Sequence, residues 1–284
     1  LRRAALLQAM AQAERIDGKY DRALELAEEA RDIYVEVYGP EHPSVAYAHN
    51  VVGNVHLRLA NLEQARNTFE HSMSLLEAVY GAEHPIVAEQ FNNIGIVEAS
   101  EGDYEAALVA FRKAEEALLR AWGPDHHSLV EQRTNIAVAY AELGDDEAAL
   151  KHFERSLAQA LKEGPNHPSV ADASGNLGVI LKRLGRHDEA IEKLEKALSI
   201  LENAFGANSV RTARTRGNLS TAVADAGDLE RGLELSMQAL ADLEAGLPPT
   251  HPEVISSLAR TGAILAELER WDEAIDYRQR ELHR

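Results

Sequence analysis

The chain has 284 residues, 45% of them hydrophobic and 5% aromatic, with a formal charge of −18. That charge argues against nucleic-acid or anionic-membrane binding through net electrostatics, while leaving room for a local basic site. The absence of cysteine excludes disulfide and thiolate chemistry, and no run approaches the roughly eighteen apolar residues that a bilayer-spanning helix needs.

One pattern recurs along the whole chain. A small residue falls at Ala11, Gly53, Gly95, Ala137, Gly178, Ser220 and Gly262, and a second series runs through Ala23, Ala65, Ala107, Ala149, Ala190, Gly232 and Ala274. Both series advance by 42 residues, with a single step of 41. Seven copies at one period predict stacked helical pairs in one continuous array. The copies read as 1–38, 43–80, 85–122, 127–163, 168–205, 210–246 and 252–284 of a single body spanning 1–284.

In copy one, Asp17-Gly18 separates a first helix (A) from a second (B) that carries Ala23, Ala27 and Ala30 on one face; glycine ends helix A because the left-handed turn costs it nothing. Glu41-His42-Pro43 opens copy two, since proline suits the first position of a helix and drives its predecessor out of the α region. Asn61 is expected to cap helix B of that copy, whose inner face is Ala65, Phe69 and Ser72. Copy three has the cleanest pattern: Phe91-Asn92-Asn93-Ile94-Gly95, a stop at Gly102, a cap at Asp103, then Ala107, Phe111 and Ala114. Copy four has His126-His127 where others have His-Pro, copy five enters through His167-Pro168, and copy six has lost His-Pro altogether. Copy six also holds Gly217 and Gly232 inside its helices, so it should be either the softest or the most closely packed repeat. Copy seven enters through His251-Pro252 and ends on Arg278, Arg280, His283 and Arg284, a polar ending that suits a capping helix or one cut short where the sequence stops.

These residues resemble a tetratricopeptide repeat (TPR) array, in its 42-residue kinesin light chain-like form and among its bacterial relatives. Gly95, Ala107, Phe111 and Ala114 match the family's small and large positions, and the Asn-Asn core and Gly-Pro-x-His-Pro linker match the longer form. The resemblance implies an all-α, right-handed superhelical solenoid of about fourteen helices. It also implies a non-catalytic protein–protein interaction module, with helix A of each copy lining a concave groove. In bacteria such arrays are also found attached to protein kinases and nucleotide-binding signalling proteins. The Leu at residue 1 prompts the alternative expectation that this is the regulatory or sensor segment of a larger signalling enzyme, such as a serine/threonine protein kinase. A self-assembly scaffold is a third reading.

The recurring asparagines are the leading candidates for function. Asn93, Asn135, Asn176 and Asn218 stand two residues before the small residue of helix A; Asn50 and Asn92 stand one earlier, and Asn54 follows Gly53. Asparagine is a mediocre helix former, so its repetition mid-helix needs a reason. In the resembling family these amides hydrogen-bond the backbone of a bound extended peptide, for which an amide offers a matching donor and acceptor. The other reading is that they bond between neighbouring helices and hold the stack. Lys182, Arg183 and Arg214, with Arg186, Arg211 and Arg216 nearby, are candidates for receiving an acidic side chain or free carboxylate, or else form a solvated face balanced by glutamates. His42, His84, His126, His167 and His251 recur one per linker; helix pairs spaced about 8–10 Å apart cannot bring such ligands onto one zinc ion, so helix-start chemistry is expected there. No phosphate loop, nucleophile elbow or His-Glu-x-x-His motif is present. No catalytic residue, metal, cofactor, nucleic-acid partner or membrane partner is therefore expected, and without a visible export signal the cytoplasm is the expected location.

Overall fold

The computed structural model describes residues 1–282, which form fourteen α-helices and one short 3-10 turn at Leu161–Glu163, with no strand among them. The A helices are α1 (Arg2–Ile16), α3 (Pro43–Arg58), α5 (Pro85–Glu101), α7 (Leu129–Glu142), α9 (Pro168–Arg183), α11 (Val210–Asp225) and α13 (Pro252–Glu267). The B helices are α2 (Tyr20–Tyr38), α4 (Leu62–Tyr80), α6 (Tyr104–Trp122), α8 (Asp146–Ala160), α10 (His187–Phe205), α12 (Leu229–Gly246) and α14 (Trp271–Leu282).

The helices gather into two compact units. The first ends at Gly144 and holds α1 to α7; the second starts at Asp145 with α8. Within each unit every helix packs on its neighbours in the chain. The A helices also touch one another, α1 on α3 and α3 on α5 in the first unit, α9 on α11 and α11 on α13 in the second. The boundary falls between the two helices of copy four, at Gly144-Asp145, and not between copies.

The small residue of helix A is small because a large one of helix B lies against it. A Cβ added to Gly53 would sit 2.6 Å from the Phe69 ring, one on Gly95 would sit 2.5 Å from Phe111, and one on Gly178 would sit 2.6 Å from Leu194. Phe69 and Leu194 are fully buried and Phe111 nearly so. In copy six a Cβ on Gly232 would meet the Ala224 Cβ at 2.9 Å and the Ser220 carbonyl at 3.0 Å. That glycine marks close helix packing, so of the two expectations for copy six the second describes it.

The helix starts explain the linker histidines. The Nδ1 of His42, His84, His167 and His251 accepts the backbone N–H of Ser44, Ile86, Ser169 and Glu253, at 3.1, 3.2, 3.3 and 3.2 Å. Histidine is thus the N-cap, satisfying a donor the helix cannot, and the following proline has no donor to satisfy. The aromatic that closes the preceding helix packs on the same ring: Tyr38 on His42 at 4.3 Å, Tyr80 on His84 at 4.9 Å, Trp122 on His126 at 4.2 Å between centroids. In copy four His126 still accepts from Ser128, but with His127 in place of proline the helix begins only at Leu129. In copy six Ser209 replaces the histidine as cap, and Phe205 takes the Arg211 guanidinium at 4.9 Å.

Asp103 caps α6 through Ala106 N–H at 2.9 Å, as expected. Asn61 does not cap α4: it holds the cap position, but its side chain makes no cap bond. Backbone bonds hold that turn instead, from Asn61 N–H to the His56 carbonyl at 2.9 Å, with Ala60 in the left-handed region at φ 56°. At the polar end, Arg280 bonds Glu244 at 2.9 Å and Arg278 pairs with Glu281; His283 and Arg284 lie outside the described residues.

Two predictions follow from this packing. Gly95→Ala forces the Phe111 ring to move and should cost about 1–3 kcal/mol. Gly175→Ala, a helical position whose added Cβ meets nothing within 4 Å, should instead stabilise by about 0.5–1 kcal/mol; urea unfolding of both variants checks the contrast. His49 lies edge-on to His71, 4.6 Å between ring centroids, and burial, helped by His71 and Arg31, lowers its pKa from 6.5 to about 4. Between those values the unfolded chain takes up a proton that the folded chain refuses, so stability falls as pH drops through this window. Urea midpoints at pH 7 and pH 5 should differ more for the wild type than for His49→Gln.

Candidate functional site

In the first unit, α3, α5 and α7 present the recurring asparagines as a chain of amides. Asn93 Nδ2 donates to Asn50 Oδ1 at 2.8 Å, and one repeat on, Asn135 Nδ2 donates to Asn92 Oδ1 at 2.9 Å. Asn50 Nδ2 in turn donates to Glu89 at 2.7 Å, and Asn54 Nδ2 to the Asn50 carbonyl at 2.9 Å. In both bridges the residue one before the asparagine slot of one copy accepts from the slot residue of the next. Asn50 and Asn93 are each 7% exposed, while Asn54, Asn92 and Asn135 are partly exposed.

Asn50 uses both ends of its amide, while the other bridging amides use one end and leave the other. Asn92 Nδ2 and the Oδ1 atoms of Asn54, Asn93 and Asn135 make no hydrogen bond within the described residues, and none belongs to the polar atoms sealed from solvent without a partner. The bonds fix the side-chain torsions, so the remaining donor and acceptors are held in place before anything arrives.

Two clefts open along this face. One, of about 530 Å³, is bounded by Gln8, Gln12 and Arg15 of α1, Tyr47, Asn50 and Asn54 of α3, and Glu89 of α5. The other, of about 540 Å³, is bounded by Ile86, Asn92, Asn93, Leu118, Trp122 and Gln132 among others. Its far wall is the start of α7, two residues short of where a His-Pro start would place it. Burial, with the negative charge of Glu89, raises the pKa of Tyr47 in the first cleft. Tyr47, Glu89 and Glu131 were not singled out from the sequence, although a signal existed: each stands one helical turn before an asparagine-slot position.

The second unit differs. Asn176 and Asn218 are partly buried on α9 and α11, and neither side-chain amide has a hydrogen-bond partner among the described residues. Lys182 pairs with Asp225 at 3.2 Å, Arg183 with Asp146 at 2.8 Å, and Arg214 with Glu253. Arg211 pairs with Asp172, and the buried Arg216 with Glu202 at 3.0 Å and with Asp242. These cations are therefore brought together by sequence position but each is answered by a carboxylate. Among the described residues no three His, Asp or Glu side chains could hold a metal ion, and no helix is long and apolar enough to cross a membrane.

A repeated hairpin with one face built from A helices defines a class, and comparison with known families agrees. The chain belongs to the tetratricopeptide repeat family, whose model matches residues 2–78, 45–120, 130–203 and 169–245. Among solved structures, it is similar to the nearly identical TPR-like repeats assigned to a kinesin light chain of Podosopora anserina, at 20% identity and TM-score 0.59, over 72% of this chain and 97% of that one. It is also similar to aspartyl phosphate phosphatase F from Bacillus subtilis, at 14% identity and TM-score 0.77, over 99% of this chain and 70% of that one. A Rap protein complexed with competence and sporulation factor matches at 14% identity and TM-score 0.70, over 99% of this chain and 75% of that one. At these identities the likeness is one of fold. A search of curated proteins returns no match.

The amide bridges carry a measurable energy. Asn50→Ala and Asn93→Ala should each destabilise the first unit, and the double-mutant cycle should show a coupling of about 0.5–1.5 kcal/mol, the worth of one buried hydrogen bond.

Proposed function

We propose that the A-helix face of the first unit binds an extended segment of a partner protein, with Asn54, Asn92, Asn93 and Asn135 hydrogen-bonding its backbone. The TPR fold is that of protein–protein interaction modules, and this segment is read as one, without catalytic machinery of its own. The observation that carries the reading is that Asn92, Asn93 and Asn135, once bridged, each keep a donor or acceptor that no other described group uses and that is not sealed from solvent. A helix whose asparagines served only to tie neighbours together has no need of clefts beside them. Here both clefts are bounded by those same residues. The structural and ligand-binding readings of the asparagines are then one device, in which the bridge orients the amide and the amide reads a peptide unit. Asn176 and Asn218 offer the second unit an amide without a bridge to orient it. Lys182, Arg183 and Arg214 select an acidic partner there only by exchanging Asp225, Asp146 and Glu253 for it.

A peptide array probed with the labelled protein supplies a ligand, and its affinity is then measured for wild type and for Asn93→Ala/Asn135→Ala. Loss of two backbone contacts should weaken binding by about tenfold or more while the circular dichroism spectrum is kept. Unchanged affinity in the folded double variant removes the assignment.

A further inference from the structure

The second cleft of the first unit carries a charge that nothing beside it answers. Glu89 on α5 and Glu131 on α7 both bound it, in equivalent positions one repeat apart. Both are exposed. Glu89 accepts only from the Asn50 amide, and Glu131 has no hydrogen bond or ion pair among the described residues. No lysine or arginine bounds the cleft, and its one histidine, His84, takes a backbone N–H at Nδ1 and so carries no proton there. Other exposed acids on A helices do hold a cation, Asp225 with Lys182 at 3.2 Å and Asp172 with Arg211.

Gln132 gives an independent sign. It is 3% exposed, and its Nε2 donates to the Phe111 carbonyl at 3.0 Å. That bond fixes which end of the amide is which, because a carbonyl oxygen takes only a donor. The end left over is Oε1. It accepts no hydrogen bond among the described residues and is not sealed from solvent, and the residue bounds the cleft. Gln90, in the same position one repeat earlier, has an Oε1 that is sealed and without a partner. The two glutamines differ in what precedes them: α5 starts on Pro85, whereas α7 starts only at Leu129, without a His-Pro turn. Two carboxylates and a nearly buried amide oxygen thus share one cleft, and all of them are acceptors that call for donors. The half-exposed Trp122 and the buried Leu118 give the same cleft an apolar wall.

We propose that this cleft receives a basic side chain of the bound segment, a lysine or an arginine. Its charged head is held by Glu89, Glu131 and Gln132 Oε1, and its aliphatic stem lies along Trp122 and Leu118. This rests on the reading of the A-helix face as a peptide-binding surface, with Asn92 and Asn93 holding the adjoining peptide unit. Ammonium and guanidinium groups offer donors and no acceptor, their stems cover apolar surface, and a cation is attracted to the face of an indole. The sign of the occupant also matches the whole chain. With 47 acidic residues against 29 basic ones, the long-range field draws in a basic segment and repels an acidic one.

The test follows the indole N–H resonances of the ¹⁵N-labelled chain, of which there are two, with that of Trp122 assigned from its loss in Trp122→Phe. The probes are N-acetyl-Ala-Lys-Ala-amide, N-acetyl-Ala-Arg-Ala-amide and two controls with norleucine or glutamate at the centre. Saturable movement of the Trp122 signal is expected with the lysine peptide, the arginine peptide or both, which tells the two side chains apart. Norleucine, which keeps the stem and loses the charge, should bind about tenfold more weakly or worse, and glutamate should bind no better than norleucine. Glu89→Gln/Glu131→Gln keeps an acceptor for Asn50 and removes both charges; it should weaken binding of the basic peptides about tenfold. Both positions are exposed, so the fold is kept, and the wild-type preference among the four peptides decides the matter without the variant. Equal affinity for lysine and norleucine, tighter binding of glutamate, movement that never saturates, or full affinity in the double variant overturns the proposal. If the side-chain amide signals of Asn93 and Asn135 respond to all four peptides while Trp122 prefers none, this inference fails and the groove reading stands. If Trp122 selects the basic peptides while those amides stay still, the groove reading falls and the cleft remains as an isolated cation site.

Discussion

Two helices approach closely only where one of them omits a side chain. Gly53, Gly95 and Gly178 make that omission, and Phe69, Phe111 and Leu194 fill it from the facing helix. The contact recurs in α3, α5 and α9 and fixes the rotation of each of those helices about its own axis. All other positions inherit their environment from it. The residue two before the glycine falls on the face shared with the next A helix, and the residue two earlier again is turned inward, where His49, Arg133, Ser174, Arg216 and Leu258 are buried or partly so.

Charge is handled the same way. The inward position tolerates arginine only with company: Arg133 reaches Glu115 at 3.3 Å and the Pro124 carbonyl at 3.4 Å, and Arg216 reaches Glu202, Asp242 and the Ala207 carbonyl. On the A-helix face the cations are held by acids from the neighbouring repeat. The excess of carboxylates therefore does structural work before it contributes to any long-range field. It also defines what is unusual, since Glu89 and Glu131, with no lysine or arginine bounding their cleft, differ from Asp225, Asp146 and Glu253, which each hold one.

Much of the scaffold could be read directly. The period, the helix pairs, the closing glycines and the Asp103 cap are local or strictly repeating features, and repetition multiplies a weak local signal. Asn61 shows the limit of local reading: a good capping residue stands at the cap, but Ala60 and two backbone bonds had already closed the turn. The partners of Lys182, Arg183 and Arg214 lie 43, 37 and 39 residues away in the sequence. Nothing but the stacking of repeats brings those carboxylates within reach. The histidines were placed at helix starts by their proline neighbours, but the Nδ1 acceptor role and the stacked aromatic needed coordinates.

The sequence by itself determined the repeat, the helices and the small-against-large contact inside each pair, because these depend on residues close in the chain or on a spacing that recurs unchanged. Only the tertiary structure decided what the asparagines and arginines do. Their partners come from the neighbouring copy, and the residue one before the slot decides the outcome: with Asn50 or Asn92 there the amide is bridged, and with Thr134 or Gly175 there it is free.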